Sequence, residues 1–453
     1  MYWNSFFAGR SFQPLAGSLH QLMVSLPKIH APPEWGIEPV KPESRCLGLI
    51  DYFVLWSSLG VGLLVLLAGA LLVPALSLQD AFLAVILGTA VGSIPLVLAG
   101  WIGSEYGIPT MVTVRPSFGI RGSYLATILN LVQLVGWTAF EVIIMAKAAD
   151  TISSTMINYS NLTLWTVVFT VFCVAMAIGG PLLIVRYWLE KFAIWLVYGT
   201  SIWVAYYTLS KRSISELLSI QPHGGLSFLL AVDLVIAMPI SWMPLAADYM
   251  RFSNDSRRAA AGTYCGYLVA NSLFYVLGAL FVLGAGVSDP VQAVATVAFG
   301  IPALMIILVD ETDNGFADIY SAAVSIQNIS PRISQKLLII SVGFVGMLVA
   351  LFLPIEEYTS FLLLIGSLFI PLFGVVITDY LFIKHKRYET EELYRIRGRY
   401  WYRGGLNLRG LGAWLTGALS YHLVITYASW VGASIPSFII AALAYWLMSK
   451  VRK

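Results

Sequence analysis

Long runs of Leu, Val, Ile and Ala, separated by short polar segments, set the pattern of this chain. About 20 apolar residues carry a helix across the hydrocarbon of a bilayer. Twelve such spans follow one another: 49–73, 80–103, 123–147, 162–183, 188–209, 226–250, 260–286, 300–327, 337–354, 358–383, 411–430 and 433–449. Two are interrupted. Span 1 holds "LWSSLGVGLL", where Gly60 and Gly62 loosen the helix, and span 6 holds "AMPISWMPLA", where Pro239 and Pro244 each remove a backbone donor. Interrupted helices in corresponding places of two five-helix halves point to an inverted-repeat transporter with its sites near the midplane. The blander reading is a pair of simple kinks, because Gly and Pro are common in membrane helices.

The pattern predicts an all-α polytopic membrane protein in five parts. Residues 1–48 make a cytoplasmic N-terminal segment, 49–209 a first five-helix repeat and 226–383 a second, inverted one. A basic cytoplasmic loop occupies 384–410, and two peripheral helices with a cytoplasmic tail fill 411–453.

Composition agrees. The chain is 58% hydrophobic and 11% charged, where soluble domains hold roughly 45–50% apolar and about 25% charged residues. Charge placement tests the span count independently. With both termini cytoplasmic, only Lys147, Lys211 and Arg212 fall on the outer side, and the inner segments, including Arg10, Lys28, Arg186, Lys191, Arg452 and Lys453, hold the other 24 of the 27 Lys and Arg. That asymmetry follows the positive-inside rule, and a missed span would scramble it. The net charge of +3 thus reports topology and implies no nucleic-acid partner. Cys46, Cys173 and Cys265 stand apart, with neither a disulfide framework nor a metal motif. The first 45 residues lack a signal-peptide pattern, and Met23 is a candidate start.

Polar residues inside spans carry the chemistry, because a charge at a helix centre costs roughly 2.5–3.5 kcal/mol on insertion scales. Span 3 reads "NLVQLVGWTAFE", which sets Gln133, Trp137 and Glu141 on one face. An aromatic plane between two hydrogen-bonding groups suits a flat heterocycle. Span 8 reads "VDETDNGFADIYSAAVSIQN": Asp310, Asn314, Asp318, Ser321 and Ser325 share a stripe, with Glu311, Thr312 and Asp313 beside it. A competing reading sets Asp310 and Glu311 in a water-filled outer vestibule. Hard oxygen ligands here, with unwound carbonyls around Ser58 and Val61, suit a cation such as sodium. Trp242 follows the break in span 6 as a possible second aromatic wall. Asp248 and Arg251 read as a gating or structural pair, "GTAVG" (88–92) as a close helix contact, and His422 as a satisfied buried histidine.

With these residues in view, the chain resembles nucleobase cation symporter family 1, the purine, cytosine, allantoin and hydantoin permeases. The likeness runs from "EWGIEPV" (34–40) through span 10. Its most specific marks are "YGIPTMVTVRPSFGIRGS", "GWTAFE", "SWMPLAADYMRF" and "DIYSAAVSIQNI". The resemblance implies a leucine-transporter-like fold of two inverted five-helix repeats plus two peripheral helices. It implies that Trp137 stacks on the substrate, that Glu141 stands where relatives often carry a glutamine, and that the segment from Pro239 through Ser241 to Trp242 packs opposite. Gly62, Gln133, Asn314 and Asp318 complete the substrate set. Ser58, Val61, Thr312 and Asp313 match the sodium region, although relatives tend to carry a Ser or Thr pair where this chain has Thr312 and Asp313, so Na+ and H+ both remain open as coupling ion.

The expected activity is import of a planar nitrogen heterocycle, cytosine or a related nucleobase, by sodium symport across the plasma membrane. The alternatives are a hydroxymethylpyrimidine or other thiamine-precursor or hydantoin-type carrier, and a proton-coupled permease. An enzyme is disfavoured by five scattered His without a paired metal motif or nucleophile elbow, and a channel by the want of a charged ring or carbonyl filter. Oligomeric state is not legible.

Overall fold

The computed structural model describes residues 35–181, 193–287 and 289–450. Among these residues the chain is helical, with no strand and two isolated β-bridges. Each span is met by a helix or helix pair: Leu49–Ser58 with Leu63–Ala70 (span 1), Leu78–Tyr106 (2), Gly122–Ile157 (3), Leu162–Gly179 (4) and Ile194–Lys211 (5). Then come Phe228–Ser241 with Met243–Met250 (6), Ser256–Ala285 (7), Gly300–Gln327 (8), Gln335–Ala350 (9), Tyr358–Thr378 (10), Leu408–Tyr427 (11) and Ser434–Lys450 (12). Span 3 runs well beyond 147, because neither Gly nor Pro stops it before Asn158, which ends it in the left-handed region at φ 54°. The expected end of span 4 and start of span 5 lie outside the described residues, as do Met23, Arg10, Lys28, Arg186, Lys191, Arg452 and Lys453.

The two interruptions differ in kind. Span 1 bends by 60° between Ser58 and Leu63, whereas span 6 runs from Phe228 to Met250 as one continuous span and breaks only at Trp242, which keeps right-handed helical angles. Both spans are thus interrupted where the glycines and prolines were expected to interrupt them, but only span 1 turns sharply there. The reason lies in span 3. Leu245 N–H turns back to the Trp242 carbonyl at 3.2 Å, which frees the Ser241 carbonyl, and Gln133 Nε2 donates to it at 3.1 Å. Asn130 Nδ2 donates to the Pro244 carbonyl at 3.2 Å. Span 8 serves span 1 in the same way: Asn314 Nδ2 donates to the Val61 carbonyl at 3.1 Å, and Glu311 Oε2 accepts from Leu63 N–H at 2.6 Å. Irregular backbone is tolerated at membrane depth only when protein groups satisfy it in this manner.

Packing follows a two-fold pattern. Span 1 packs on span 7 and span 6 on span 2; span 4 packs on span 8 and span 9 on span 3; span 5 packs on span 7 and span 10 on span 2. In each couple the partners exchange on adding or subtracting five. Spans 11 and 12 pack on each other and on span 10, at the periphery. Glycines make the closest interfaces. A Cβ on Gly262, Gly266 or Gly278 of span 7 would strike the backbone of Leu49, Phe53 or Leu66 of span 1. On Gly88 or Gly92 of span 2 it would strike Val235 or Pro239 of span 6. The close contact expected at "GTAVG" is therefore real, and "GTYCG" (262–266) is its counterpart in the second half.

One end of the bundle is tied together by buried arginines. Arg251 Nη1 donates to the Gly36 carbonyl at 2.7 Å and Nη2 to the Tyr320 hydroxyl at 2.9 Å, while Trp35 packs edge-on against Phe252. Arg115 donates to Asn328 Oδ1 at 2.8 Å and to the Leu393 carbonyl at 2.9 Å, which ties the loop between spans 2 and 3 to span 8 and to the 384–410 segment. Asp248 and Arg251 do not pair through their side chains: Asp248 Oδ1 accepts from Thr110 N–H at 2.8 Å, and Arg251 Nε donates to the Asp248 backbone carbonyl. His422 lies on the exposed face of span 11 beside Tyr421, not buried, because a peripheral helix packs along one side only.

Candidate substrate cavity and ion cluster

At the level of both breaks a narrow pocket lies within the bundle. Its wall brings together Gly62, Trp137, Glu141, Ser241, Trp242, Asn314 and Asp318, with Leu59, Leu64, Val65, Met238, Leu245 and Glu311. Each helix contributes for a local reason. Gly62 stands at the break of span 1, where any Cβ would crowd the Glu311 carboxyl and the Asn314 amide. Helical spacing on span 3 turns Trp137 and Glu141 to the same side.

The two tryptophans are held from behind. Trp137 lies edge-on to Tyr358 and Phe361 of span 10, with ring centroids 6.0 and 5.4 Å away. Trp242 lies edge-on to Trp56 at 6.2 Å, and Trp56 to Tyr267 at 6.1 Å. Such edge-to-face packing fixes ring orientation and leaves the cavity-side surface free to stack.

The polar edge is rich in acids. Glu141, Glu311 and Asp318 together form its carboxyl lining. Glu141 Oε2, Glu311 Oε1 and Asn314 Oδ1 are buried without a hydrogen-bond partner. Glu311 was not foreseen here, and the vestibule reading of Asp310 and Glu311 fails. Span 8 begins at Gly300, so both acids lie roughly 15 Å along it, near mid-membrane, and both are buried.

A second acidic group sits where the first half of span 1 ends. Ser58 Oγ lies 3.2 Å from Asp310 Oδ1 and 3.1 Å from Asp313 Oδ2, and each carboxyl has one further oxygen without a partner. Ser58 and Asp313 are thus brought together as the family resemblance implied, with Asp310 added. The Val61 carbonyl faces the Asn314 amide instead, and the Thr312 hydroxyl donates to the Val309 carbonyl of its own helix at 2.6 Å. Among the described residues no group of three or more His, Cys, Asp and Glu is arranged to chelate a metal ion.

Two expected substrate residues stand behind the wall. Gln133 bridges to Ser241 and Asn130, and Asn130 to Ser325, which links spans 3, 6 and 8. Pro239 packs toward Gly92 of span 2. None of the three cysteines is in a disulfide, and Cys173, buried against span 8, donates to the Thr312 carbonyl at 3.6 Å.

Two five-helix repeats wrapped around a buried cavity, with polar groups gathered at a helix break, define a membrane transporter of the leucine-transporter-like fold. The family model for permeases of cytosine/purines, uracil, thiamine and allantoin matches residues 39–447, and the chain belongs to that family. It is similar to the cytosine permease of Escherichia coli K12, 27% identical over 363 residues covering 79% of this chain and 84% of the relative. It is also similar to the hydantoin permease of Microbacterium maritypicum, 25% identical over 392 residues covering 82% and 80%. In fold it matches Mhp1, a nucleobase-cation-symport-1 family transporter in a closed conformation with bromovinylhydantoin bound, with a TM-score of 0.83 over 92% of this chain and 95% of that one at 22% identity.

Proposed function

We propose that this chain imports a planar nitrogen heterocycle, cytosine or a related nucleobase, by alternating access coupled to sodium. The observation that carries the reading is a buried cavity faced by both Trp137 and Trp242, with Glu141, Asn314 and Asp318 along its edge. Aromatic faces stack on a ring, while polar groups left unpaired by a wrong ring penalise it. The names of the two relatives, a cytosine and a hydantoin permease, support cargo of that size and shape.

In this reading Trp137, Glu141, Trp242, Asn314, Asp318, Ser241 and Gly62 meet the ring, and Gln133 and Pro239 hold the wall in place. Sodium binds where Ser58 meets Asp310 and Asp313, with Val61 and Thr312 turning toward it from their present partners. A proton is the second reading for the coupling ion. Two carboxyl groups sharing one hydroxyl form a compact place to carry it.

The repeats comprise 49–209 and 226–383, and both termini lie on the cytoplasmic side of the plasma membrane, on the strength of the Lys and Arg distribution. The deciding experiment is thermal stabilisation of the purified protein by cytosine, uracil, adenine, guanine, hypoxanthine, allantoin, hydantoin and hydroxymethylpyrimidine, each in sodium or choline at two pH values. A selective shift that requires sodium is expected. A shift that ignores sodium and follows pH supports the proton reading, and no shift with any ring sinks the proposal.

A further inference from the structure

Five buried carboxyl groups converge in mid-bundle: Glu141 on span 3, and Asp310, Glu311, Asp313 and Asp318 on span 8. They divide by what they touch. Asp310 and Asp313 face the Ser58 hydroxyl, whereas Glu141, Glu311 and Asp318 line the aromatic cavity, whose wall holds no Lys, Arg or His. The hydrogen-bonding inventory points the same way as the charge. Glu141 Oε2, Glu311 Oε1 and Asn314 Oδ1 are acceptors without partners, while the Asn314 amide is already engaged by the Val61 carbonyl.

This lining calls for donors and for positive charge. A ring edged with carbonyls would set its oxygens against carboxylates. An edge of the form N–C–N carrying two N–H groups would instead meet carboxylates with short, charge-assisted, paired hydrogen bonds, and indole walls attract a planar cation laid against them.

We propose, on top of the carrier reading above, that the cargo is a planar nitrogen compound with an amidine-type N–C–N edge, bound as its cation between Trp137 and Trp242 with that edge on Glu141 and Glu311.

Calorimetric titration of the purified full-length protein in sodium tests this with probes paired by shape: benzamidine against benzamide, 4-aminopyrimidine against 4-pyrimidinone, and cytosine against uracil. In each pair the amidine or amino member is expected to bind at least about tenfold more tightly, the step that corresponds to 1.4 kcal/mol. Glu141→Gln and Glu311→Gln are expected to remove the preference for benzamidine over benzamide. Glu311→Gln keeps an acceptor for Leu63 N–H, and melting temperatures of both variants check that the fold survives. Equal or tighter binding of the oxo members overturns the cationic cargo while leaving a heterocycle carrier in place. Failure of every probe overturns the carrier reading itself.

Discussion

Glu311 concentrates the physical chemistry of this protein in one side chain. One oxygen accepts from Leu63 N–H, the first residue of the second half of span 1, and the other faces the cavity without a partner. A carboxylate at a helix N-terminus is favoured by the free N–H groups and the helix dipole, so this acid anchors the break and borders the substrate space at once. Glu311→Ala is expected to lower stability by about 1–3 kcal/mol by leaving that buried N–H unsatisfied, whereas Glu311→Gln should melt close to wild type; thermal unfolding in detergent compares them. For Glu141, Ala substitution is expected to abolish heterocycle binding with the fold largely intact, and Gln to shift preference among rings. Wild-type affinity in Glu141→Ala would exclude it from the site. Trp137→Ala should weaken binding by roughly 0.5–1.5 kcal/mol or more through lost stacking, with Phe recovering part of it, as titration of a bound ring would show.

At the scale of elements, the fold depends on how closely helices approach. Glycine costs about 1 kcal/mol against alanine inside a helix, yet spans 2 and 7 place it where the backbones of spans 6 and 1 touch them. Adding a methyl group to a filled interface costs typically 1–3 kcal/mol. Gly266→Ala and Gly92→Ala are therefore expected to lower the melting temperature, the first by driving a Cβ into the Phe53 carbonyl and the second into Pro239. Gly199→Ala supplies the contrast: nothing lies within 4 Å of its added carbon, and the gain in helix propensity should leave the protein as stable or more so. Equal melting of all three variants would remove close approach as the reason for these glycines.

At the scale of the whole molecule, two buried arginines tie one end of the bundle together. Arg115 and Arg251 each join segments far apart in sequence: Arg115 ties the loop between spans 2 and 3 to Asn328 and Leu393, and Arg251 ties span 6 to Gly36 and Tyr320. Buried arginines bonded to carbonyls and hydroxyls hold a closed state only as long as every partner stays. Arg115→Ala is expected to favour inner opening, read as faster labelling of a cysteine introduced at Ser325 by an impermeant maleimide presented from the cytoplasmic face. Unchanged labelling would mean that closure rests on other contacts.

Much of this was legible in the chain because a bilayer imposes one-dimensional rules. Span length and the bias of Lys and Arg mark the helices and their expected sidedness without any knowledge of packing. Helical periodicity places Trp137 and Glu141 on one face, and the cost of an intramembrane acid marks span 8 as functional. What periodicity does not carry is which residue of another helix answers a given group. That Gln133 supports span 6 rather than facing the cavity, that Glu311 caps the break in span 1, and that Asp310 joins Asp313 at Ser58 all depend on partners more than 100 positions away. The degree of bending was decided in the same way: amides of span 3 bond the Ser241 and Pro244 carbonyls at the break in span 6, which stays one continuous span, while the glycines of span 1 let it turn by 60°. Hydrophobicity is local and can be read along the chain, whereas satisfaction of a buried polar group is a property of the assembled bundle.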